Sequence, residues 1–294
     1  MKSIHTLVQD IYQLVGGPNG ISSLPSDMGA NVQRALEQSF GPPQRRGLRL
    51  SGLGPKCPCE LWHSIHHPEL AEPLPSYARI KYAYGHIIEH LIIGLAKAAG
   101  HTVTGEQDEL DCHGVSGHRD CVIDGCIVDV KSAASRSFLK FKDGSIAQDD
   151  SFGYLDQLDG YAVASLDDPL VVVKDRAYLL AVDKQLGHLA LYEHRIRKAS
   201  IEARIQSYKA VVSKSEPPGC TCGTIPDGES GNIQLDLKAS YNVFKHCCAE
   251  QRGETLRTFL YSGGPRFLTK VVKTPSYRGV PILEIDKTGK RVYH

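Results

Sequence analysis

The stretch that decides the fold reads SGHRDCVIDGCIVDVK and spans residues 116–131. Two runs rich in β-forming residues flank Asp124-Gly125, and Asp-Gly between such runs is a strong signal for a two-residue hairpin turn. This turn sets a register in which Asp120 lies directly opposite Asp129. Because side chains alternate along a strand, Asp120, Asp129 and Lys131 are expected on one face of the hairpin.

Two carboxylates that face each other across a hairpin repel each other, so the pair needs a positive charge between them. Oxygen ligands favour a hard divalent cation such as Mg²⁺ or Mn²⁺. An adjacent lysine could then stabilise charge on a phosphate or position a water molecule. The alternative is a surface pair of Asp129 and Lys131 on a solvated face of the hairpin.

Two further segments favour the metal site. Glu89 interrupts the apolar run Ile87–Ile93 of a helix predicted over about residues 77–98, and a buried carboxylate needs a partner. Gln157 and Tyr161 are four residues apart in a second predicted helix, and they therefore share a face of it. Taken alone, Glu89 could be an ordinary residue of a polar helix face, and Tyr161 could simply pack in the core.

Together these residues resemble the motifs of a known family in their order along the chain. The segments Gly85-x3-Glu89, Asp120, Asp129-x-Lys131 and Gln157-x3-Tyr161 are similar to those of the PD-(D/E)XK nucleases. Within that superfamily they resemble the RecB-like exonuclease branch, which includes CRISPR adaptation nucleases and phage recombination exonucleases. The resemblance covers about residues 50–195. Glu89 stands where the family often has a histidine.

The resemblance implies a role for each matching residue. The groups that would bind one or two Mg²⁺ or Mn²⁺ ions are Glu89, Asp120, Asp129 and the carbonyl of Val130. Lys131 would orient or activate the attacking water and stabilise charge on the phosphate. The residues implied to contact DNA are Gln157, Tyr161, Ser132 and Lys184. Two of these assignments have alternatives, because Gln157 and Tyr161 could instead position Lys131, and Lys184 could be an ordinary exposed turn lysine.

The cysteines suggest a second metal site without establishing one. Some RecB-like relatives hold a [4Fe–4S] cluster through one cysteine before the first motif and three after the last. The candidate ligands in this chain are Cys57, Cys59, Cys220, Cys222, Cys247 and Cys248. The chain has no C-x2-C spacing, and Cys-x-Cys and Cys-Cys pairs suit neither one cluster nor one tetrahedral zinc well. Plain buried or surface thiols that bind no metal are therefore the favoured interpretation, and Cys112, Cys121 and Cys126 are expected to be small core residues.

Composition limits the class of protein. The chain has 294 residues, of which 41% are hydrophobic and 23% charged, so it is neither mainly disordered nor collagen-like. No apolar run approaches the roughly 20 residues of a membrane span, and the start lacks the apolar core of a secretory signal. Nine cysteines in a chain of this size favour a reduced, intracellular protein. The compact architecture favours the cytoplasm of a bacterial cell or a phage-infected host.

The predicted organisation has three parts in a chain of the α/β class. Residues 1–46 form a small N-terminal helical appendage that ends in a linker, Gln44-Arg45-Arg46. Residues 47–213 form the nuclease core, with a mixed central β-sheet flanked by helices as in restriction endonucleases. Residues 214–294 form a basic, cysteine-containing extension packed on the core. Since residues 195–294 carry a net charge of +8 and the remainder −7, this region suits a polyanion, or simply a solvated basic surface.

The function expected from these features is a metal-dependent DNA exonuclease in recombination, repair or phage genome processing. Its partners would be DNA, as single strands or duplex ends, and a recombination or replication protein, with no membrane. One alternative is a structure-specific endonuclease. Another is a nucleic-acid-binding protein that keeps the fold and does not cleave, and a third is an inhibitor or adaptor that acts through residues 1–46.

Overall fold

The structure is a computed structural model that describes residues 2–18, 21, 23–41 and 47–292. The α-helices of this part of the chain are α1 (Leu7–Gly16), α2 (Met28–Phe40), α3 (Pro58–His66), α4 (Ser76–Ala98), α5 (Ser135–Asp143), α6 (Tyr154–Ala164), α7 (Lys198–Val212), α8 (Leu237–Ser240) and α9 (Lys245–Gln251). The β-strands are β1 (Val103–Thr104), β2 (Glu109–Cys112), β3 (Val115–His118), β4 (Cys121–Ile123), β5 (Cys126–Ala133), β6 (Arg176–Asp183), β7 (Leu189–Arg195), β8 (Thr224–Pro226), β9 (Ile233–Leu235), β10 (Arg257–Tyr261), β11 (Gly264–Lys270), β12 (Ser276–Tyr277), β13 (Val280–Pro281) and β14 (Glu284–Ile285). Across these residues, no helix is both long enough and apolar enough to span a bilayer.

The chain forms two compact units. The first unit contains Met1–Gly54 and Leu74–Ile205, and the second contains Pro55–Pro73 and Gln206–His294. The division predicted at residues 46 and 213 remains a prediction about domains, since groups of contacts do not establish which parts fold independently. The predicted linker Gln44-Arg45-Arg46 lies outside the described residues.

The first unit contains the predicted mixed sheet. Its strand order is β1-β4-β5-β6-β7, with β5 and β6 parallel and the other neighbours antiparallel. A parallel pair needs a long crossover, and α5 and α6 occupy the connection from β5 to β6. The predicted mixed sheet with flanking helices is therefore confirmed. The sequence pattern predicted α6 but not α5, a short basic segment without a side-chain N-cap.

The hairpin β4–β5 has the predicted turn and register. Asp124 and Gly125 have φ angles of 51° and 79°, as a type I′ turn requires, and Val122 pairs with Ile127. The predicted extension of the ladder to Asp120 is wrong, because the pairing ends at Cys121. The side chain of Asp120 accepts a hydrogen bond from the main chain of β5, in place of the backbone carbonyl that a longer β4 would have provided.

Alternating side chains of β5 face different helices. Val128 and Val130 belong to a buried apolar cluster that also contains Ile92 of α4 and Leu7 of α1. Residues of the other parity turn toward α6, and the side chain of Lys131 reaches that helix. Helices α4 and α6 thus flank the carboxyl-terminal half of β5, where the predicted metal ligands lie.

The second unit is built on an antiparallel sheet with the order β14-β10-β11-β9-β8. Helix α3, which the sequence pattern did not predict, begins with Pro58 at its first turn and packs on α9. A separate buried cluster in this unit consists of cysteine side chains. Cys112, Cys121 and Cys126 of the first unit are buried as small core residues, as predicted.

Candidate active site

The residues of the family motifs converge in the first unit although they come from separate elements. Glu89 lies on α4, Asp120 lies immediately before β4, and Asp129 and Lys131 lie on β5. Gln157 and Tyr161 lie one helical turn apart on α6 and are both buried. The contacts among these residues, described below, determine what chemistry the group can support.

Asp129 has the environment of a cation ligand. Its side chain is completely buried, and Lys131 Nζ lies 2.6 Å from Asp129 Oδ2 as an ion pair. Apart from this contact with Lys131, neither carboxylate oxygen of Asp129 has a hydrogen-bond partner among the described residues. A buried carboxylate normally has its acceptors satisfied, so this side chain has unused capacity for a positively charged ligand.

Asp120 is held against the edge of β5. Its Oδ2 accepts a hydrogen bond of 2.7 Å from the backbone N–H of Val130. In a strand, the N–H and C=O of one residue point to the same edge, so the Val130 carbonyl also points toward the side of Asp120. This arrangement agrees with the predicted use of the Val130 carbonyl as an additional ligand.

Burial raises the pKa of Asp120 well above its usual range, and the nearby carboxylates of Asp129 and Glu89 raise it further. The pKa of Asp129 is also raised, mainly by burial. These shifts show that the carboxylates interact strongly and lack sufficient positive charge. The carboxylates nevertheless do not form one tight cluster. In the described part of the chain, the group of three or more potential metal-ligand atoms that lie within 4.8 Å of one another is made of four cysteines of the second unit.

Lys131 is connected to both predicted α6 residues. Its Nζ donates a hydrogen bond of 3.0 Å to Gln157 Oε1, and Gln157 Nε2 donates one of 2.6 Å to the Tyr161 hydroxyl. Burial lowers the pKa of Lys131, but Asp129 and Asp120 raise it more, so the ammonium group is the stable form. Since Gln157 and Tyr161 are buried, these contacts favour their predicted role of positioning Lys131 over direct contact with DNA.

Ser132 and Lys184 lie near the same end of the sheet. Ser132 is half-buried, and a Cβ atom on Gly85 of α4 would lie 3.7 Å from its Oγ, so the two elements approach closely here. Lys184 is exposed, and its backbone N–H donates to the carbonyl of Ala133 at the end of β5. The positions are compatible with phosphate contacts, which remain predictions.

Sequence reasoning missed two residues that contact this group. Lys131 Nζ lies 4.9 Å from the ring centroid of Tyr154, which is three residues before Gln157 and so shares its helix face. That spacing could have revealed Tyr154. Gln107 donates a hydrogen bond of 2.7 Å from Nε2 to Glu89 Oε1, but it lies in a loop where no periodicity indicates its direction.

A separate group of cysteines lies in the second unit. The Sγ atoms of Cys57, Cys220, Cys222 and Cys248 all lie within 4.8 Å of one another. Cys57 Sγ is 3.7 Å from Cys220 Sγ and 4.0 Å from Cys248 Sγ. The sequence spacing did not show this proximity, because the fold closes distances between cysteines that are far apart in the chain. Cys59 and Cys247 are outside the group of four.

Each of these four sulfur atoms accepts a hydrogen bond from nitrogen. Backbone N–H groups of Thr221 and Cys222 donate to Cys57 and Cys220, respectively. The side chain of Asn242 donates to both Cys222 and Cys248, at 3.5 and 3.3 Å. The thiols share protons, because hydrogen bonds from Cys222 and Cys248 lower the pKa of Cys57, while the pKa values of Cys222 and Cys248 themselves are raised. Donors directed at every sulfur are the environment that metal-bound thiolates require.

Two arginines of the basic C-terminal region already have acidic partners. Arg257 forms a bidentate ion pair with Glu284, with hydrogen bonds of 2.7 and 2.6 Å. Arg266 lies 2.7 Å from Asp227 and stacks over the ring of Tyr261. These pairs favour a structural role for both arginines over the phosphate contacts that the charge pattern allowed.

Neither a protein-family model nor a curated protein matches the chain. Among solved structures, it is similar to SSO0001, with 14% identity, coverage of 76% of this chain and 96% of that chain, and a TM-score of 0.42. It is also similar to the alkaline exonuclease LHK-Exo from Laribacter hongkongensis, with 13% identity, coverage of 62% and 92%, and a TM-score of 0.35. A phage-related exonuclease from Haemophilus somnus 129PT gives 13% identity, coverage of 70% and 90%, and a TM-score of 0.30. At these TM-scores the resemblance to RecB-like nucleases rests on the order of the chain's own motifs and on its mixed sheet.

Proposed function

We propose that the protein is a metal-dependent deoxyribonuclease that hydrolyses phosphodiester bonds at DNA ends. The observation that carries this proposal is the Asp129 carboxylate, which is buried and, apart from its ion pair with the Lys131 ammonium group, has no hydrogen-bond partner within the described residues. Glu89 lies close enough to raise the pKa of both Asp120 and Asp129. A buried acidic group of this kind is typical of a cation site.

The donor set fits a hard divalent cation. Glu89, Asp120, Asp129 and the Val130 carbonyl would hold Mg²⁺ or Mn²⁺ through oxygen atoms, which both ions prefer. When bound, the cation supplies positive charge that stabilises the phosphate in the transition state and acidifies water. The unsatisfied oxygens of Asp129 and the raised pKa of Asp120 are consistent with a site that needs such a charge.

The remaining groups orient and stabilise. The Lys131 ammonium can donate to a phosphate oxygen as negative charge develops there, since it remains protonated. Gln157 holds Lys131 through its carbonyl oxygen, and the Tyr161 hydroxyl fixes the amide of Gln157. Burial raises the pKa of Tyr161, which therefore stays neutral and acts as a fixed hydrogen-bonding group instead of a base. Lys131 acts in this scheme as a positioned cation.

Cleavage of labelled DNA tests the proposal. We expect wild-type protein to degrade linear DNA with Mg²⁺ or Mn²⁺ and to be inactive in EDTA, with Lys131→Ala at least about 100-fold slower. Lys198→Ala, which removes an exposed lysine of α7, serves as the matched control and should retain full activity. Equal activity of the Lys131 and Lys198 variants would contradict the assigned site.

The substrates separate the three enzymatic and binding alternatives. Linear single-stranded and duplex DNA labelled at either end reports polarity, while covalently closed circular DNA reports internal cleavage. Release of mononucleotides from linear DNA only supports an exonuclease, whereas cleavage of circles supports the endonuclease alternative. Tight, salt-dependent binding without cleavage under any metal condition would support the non-cleaving DNA-binding alternative.

The cysteine group of the second unit is proposed as a separate metal centre. A tetrahedral zinc ion with Zn–S bonds of about 2.3 Å places its sulfurs about 3.8 Å apart, close to the observed separations of 3.7 and 4.0 Å. In a [4Fe–4S] cluster each thiolate binds a different iron, so the sulfurs lie farther apart. The spacing thus favours a single tetrahedral ion. One zinc per chain in purified protein would support this assignment, and iron with acid-labile sulfide would replace it with the cluster.

A further inference from the structure

The loop between β1 and β2 places one glutamine between two predicted metal ligands. Gln107 Nε2 donates to Glu89 Oε1 at 2.7 Å, and the backbone N–H of the same residue donates to the carbonyl of Asp120 at 3.2 Å. Glu89 lies on α4 and Asp120 precedes β4, so a single residue links the two elements. The other oxygen of Glu89 lies 3.6 Å from His86.

Gln107 has an unfavourable backbone conformation. Its φ angle is 58°, in the left-handed region that a residue with a long side chain seldom occupies. Such a conformation persists only where neighbouring interactions impose it, and it is concentrated at functional sites. The cause of the conformation must therefore be sought in the rest of the loop.

The neighbouring loop residues are anchored on both sides of Gln107. The buried guanidinium group of Arg119 donates hydrogen bonds to the carbonyl of Gly105, at 3.2 Å, and to the carboxylate of Asp108, at 2.6 Å. Lys97 of α4 lies 2.7 Å from Glu106. A Cβ atom on Gly105 would lie 2.5 Å from Arg119 Nη2, so this position has no room for a larger residue.

Arg119 is itself held by residues outside the loop. Its Nη1 lies 2.6 Å from Asp168 and 3.3 Å from the hydroxyl of Ser165. A buried guanidinium group that is bound by carboxylates on two sides has little freedom to move, because its N–H groups are already engaged in these contacts. The contacts of Arg119 therefore hold the loop in a fixed position, and in this position the side-chain amide of Gln107 contacts Glu89.

We infer that Gln107 is a positioning residue that sets the affinity of the carboxylate site for its divalent cation. By donating to Oε1 of Glu89, it fixes the orientation of the carboxylate, so that Oε2, which lies 3.6 Å from His86 Nδ1, would be the oxygen that binds the cation. Hydrogen bonds to ligating carboxylates usually change metal affinity about 10-fold to 100-fold. This inference rests on the proposed function, since it concerns the same site.

Two substitutions separate this role from a structural one. Gln107→Gly removes the amide and relieves the strain at positive φ, so it should leave the melting temperature unchanged or higher. Gln107→Met keeps the length of the side chain and the strain but cannot donate a hydrogen bond. The control is His113→Gly, which relieves a similar φ of 52° in the turn between β2 and β3.

The readout is Mn²⁺ binding by titration, measured together with the Mn²⁺ concentration that gives half-maximal cleavage. Both Gln107 variants should bind Mn²⁺ about tenfold more weakly, with cleavage largely restored at saturating metal, while His113→Gly binds as wild type does. Wild-type affinity in both Gln107 variants would overturn the inference and leave the nuclease proposal intact. Absence of Asp129-dependent Mn²⁺ binding and of cleavage in the wild-type protein would overturn both.

Discussion

The carboxylate site of the first unit and the cysteine site of the second unit differ in how their acceptor atoms are hydrogen-bonded. Apart from the ion pair with Lys131, neither Asp129 oxygen has a hydrogen-bond partner within the described residues, whereas each of the four clustered sulfurs accepts a hydrogen bond from nitrogen. Burial and the neighbouring carboxylates of Asp129 and Glu89 raise the pKa of Asp120. The proposed cation would add positive charge to the first site, whereas the second site already has hydrogen-bond donors directed at its sulfurs.

This difference indicates how each site is expected to hold its metal. Hard cations bound by a few carboxylates exchange readily with solvent and are removed by chelators. Four thiolates supported by N–H donors bind a metal tightly enough that its binding energy contributes to folding. We therefore assign the reaction to the carboxylate site and a structural role to the cysteine site, and the following predictions test that division.

The largest effect is expected from Asp129→Asn, which removes the unsatisfied carboxylate and keeps its shape. Cleavage should fall about 1,000-fold, because the substitution removes a ligand of the stabilising charge. Asp124→Asn is the matched control in the same hairpin, since the Asp124 carboxylate already has His101 and the Thr102 N–H as partners.

Initial cleavage rates at saturating Mn²⁺ measure this effect, and thermal unfolding shows whether either variant is folded. The Asp124 variant should cleave at nearly the wild-type rate while melting at a lower temperature, because it disturbs the buried hydrogen bond between Asp124 and His101. The Asp129 variant should instead lose cleavage and keep the wild-type melting temperature. Comparable loss of cleavage in both variants would remove the distinction between the two carboxylates.

A second effect concerns folding of the second unit. Cys248→Ser removes one of four ligands that join the segment before α3, the loop at residues 220–222 and α9. We expect loss of the bound metal and a loss of about 4 kcal/mol or more in stability, because structural metal binding contributes directly to folding.

Cys247→Ser is an adjacent control, since Cys247 is outside the group of four. It should keep the metal and melt as wild type does. Metal content and thermal unfolding, measured after dialysis against EDTA sufficient to abolish cleavage, distinguish the variants. If that dialysis also strips the cysteine site of the wild-type protein, the proposed contrast in metal retention is wrong.

The sequence pattern predicted the turn and the helix-face pairing next to the candidate carboxylates, because neighbouring residues set this geometry locally. The Asp124-Gly125 turn fixes the hairpin register, and helical spacing alone places Gln157 next to Tyr161. The pattern could not show that the ladder stops at Cys121. There the Asp120 side chain replaces a main-chain acceptor for Val130, an exchange that strand periodicity does not encode.

The cysteine site could not be predicted in the same way. Cys57 is 163 residues from Cys220 and 191 residues from Cys248, so no local spacing relates them. Gln107 was missed for a related reason, because its direction depends on the distant contacts that fix Arg119. Local patterns thus revealed ligands on a hairpin and a helix, whereas sites assembled from loops required the tertiary structure.

The smallest effect tests whether a buried carboxylate with all its partners behaves as a structural group. Asp159 is as buried as Asp129, but it accepts from His194, from the Arg197 backbone and from the Arg197 side chain. Burial alone would raise the pKa of Asp159, and these partners lower it overall. The stabilisation by Asp159 is therefore fully present at pH values above the pKa of Asp in the unfolded state, which is about 3.9. It is lost as the pH falls through the lower pKa of Asp159 in the folded state.

Below pH 4, the wild-type protein should therefore lose up to about 1.4 kcal/mol of stability per pH unit through Asp159, and Asp159→Asn should lack that component. Urea unfolding at a series of pH values between 3 and 6, in the wild type and the variant, measures the difference. Parallel pH dependence in the two proteins would mean that Asp159 titrates alike in the folded and unfolded states. The partnered carboxylate would then be no better a structural group than Asp129, and hydrogen-bond satisfaction would not separate structural from functional carboxylates in this protein.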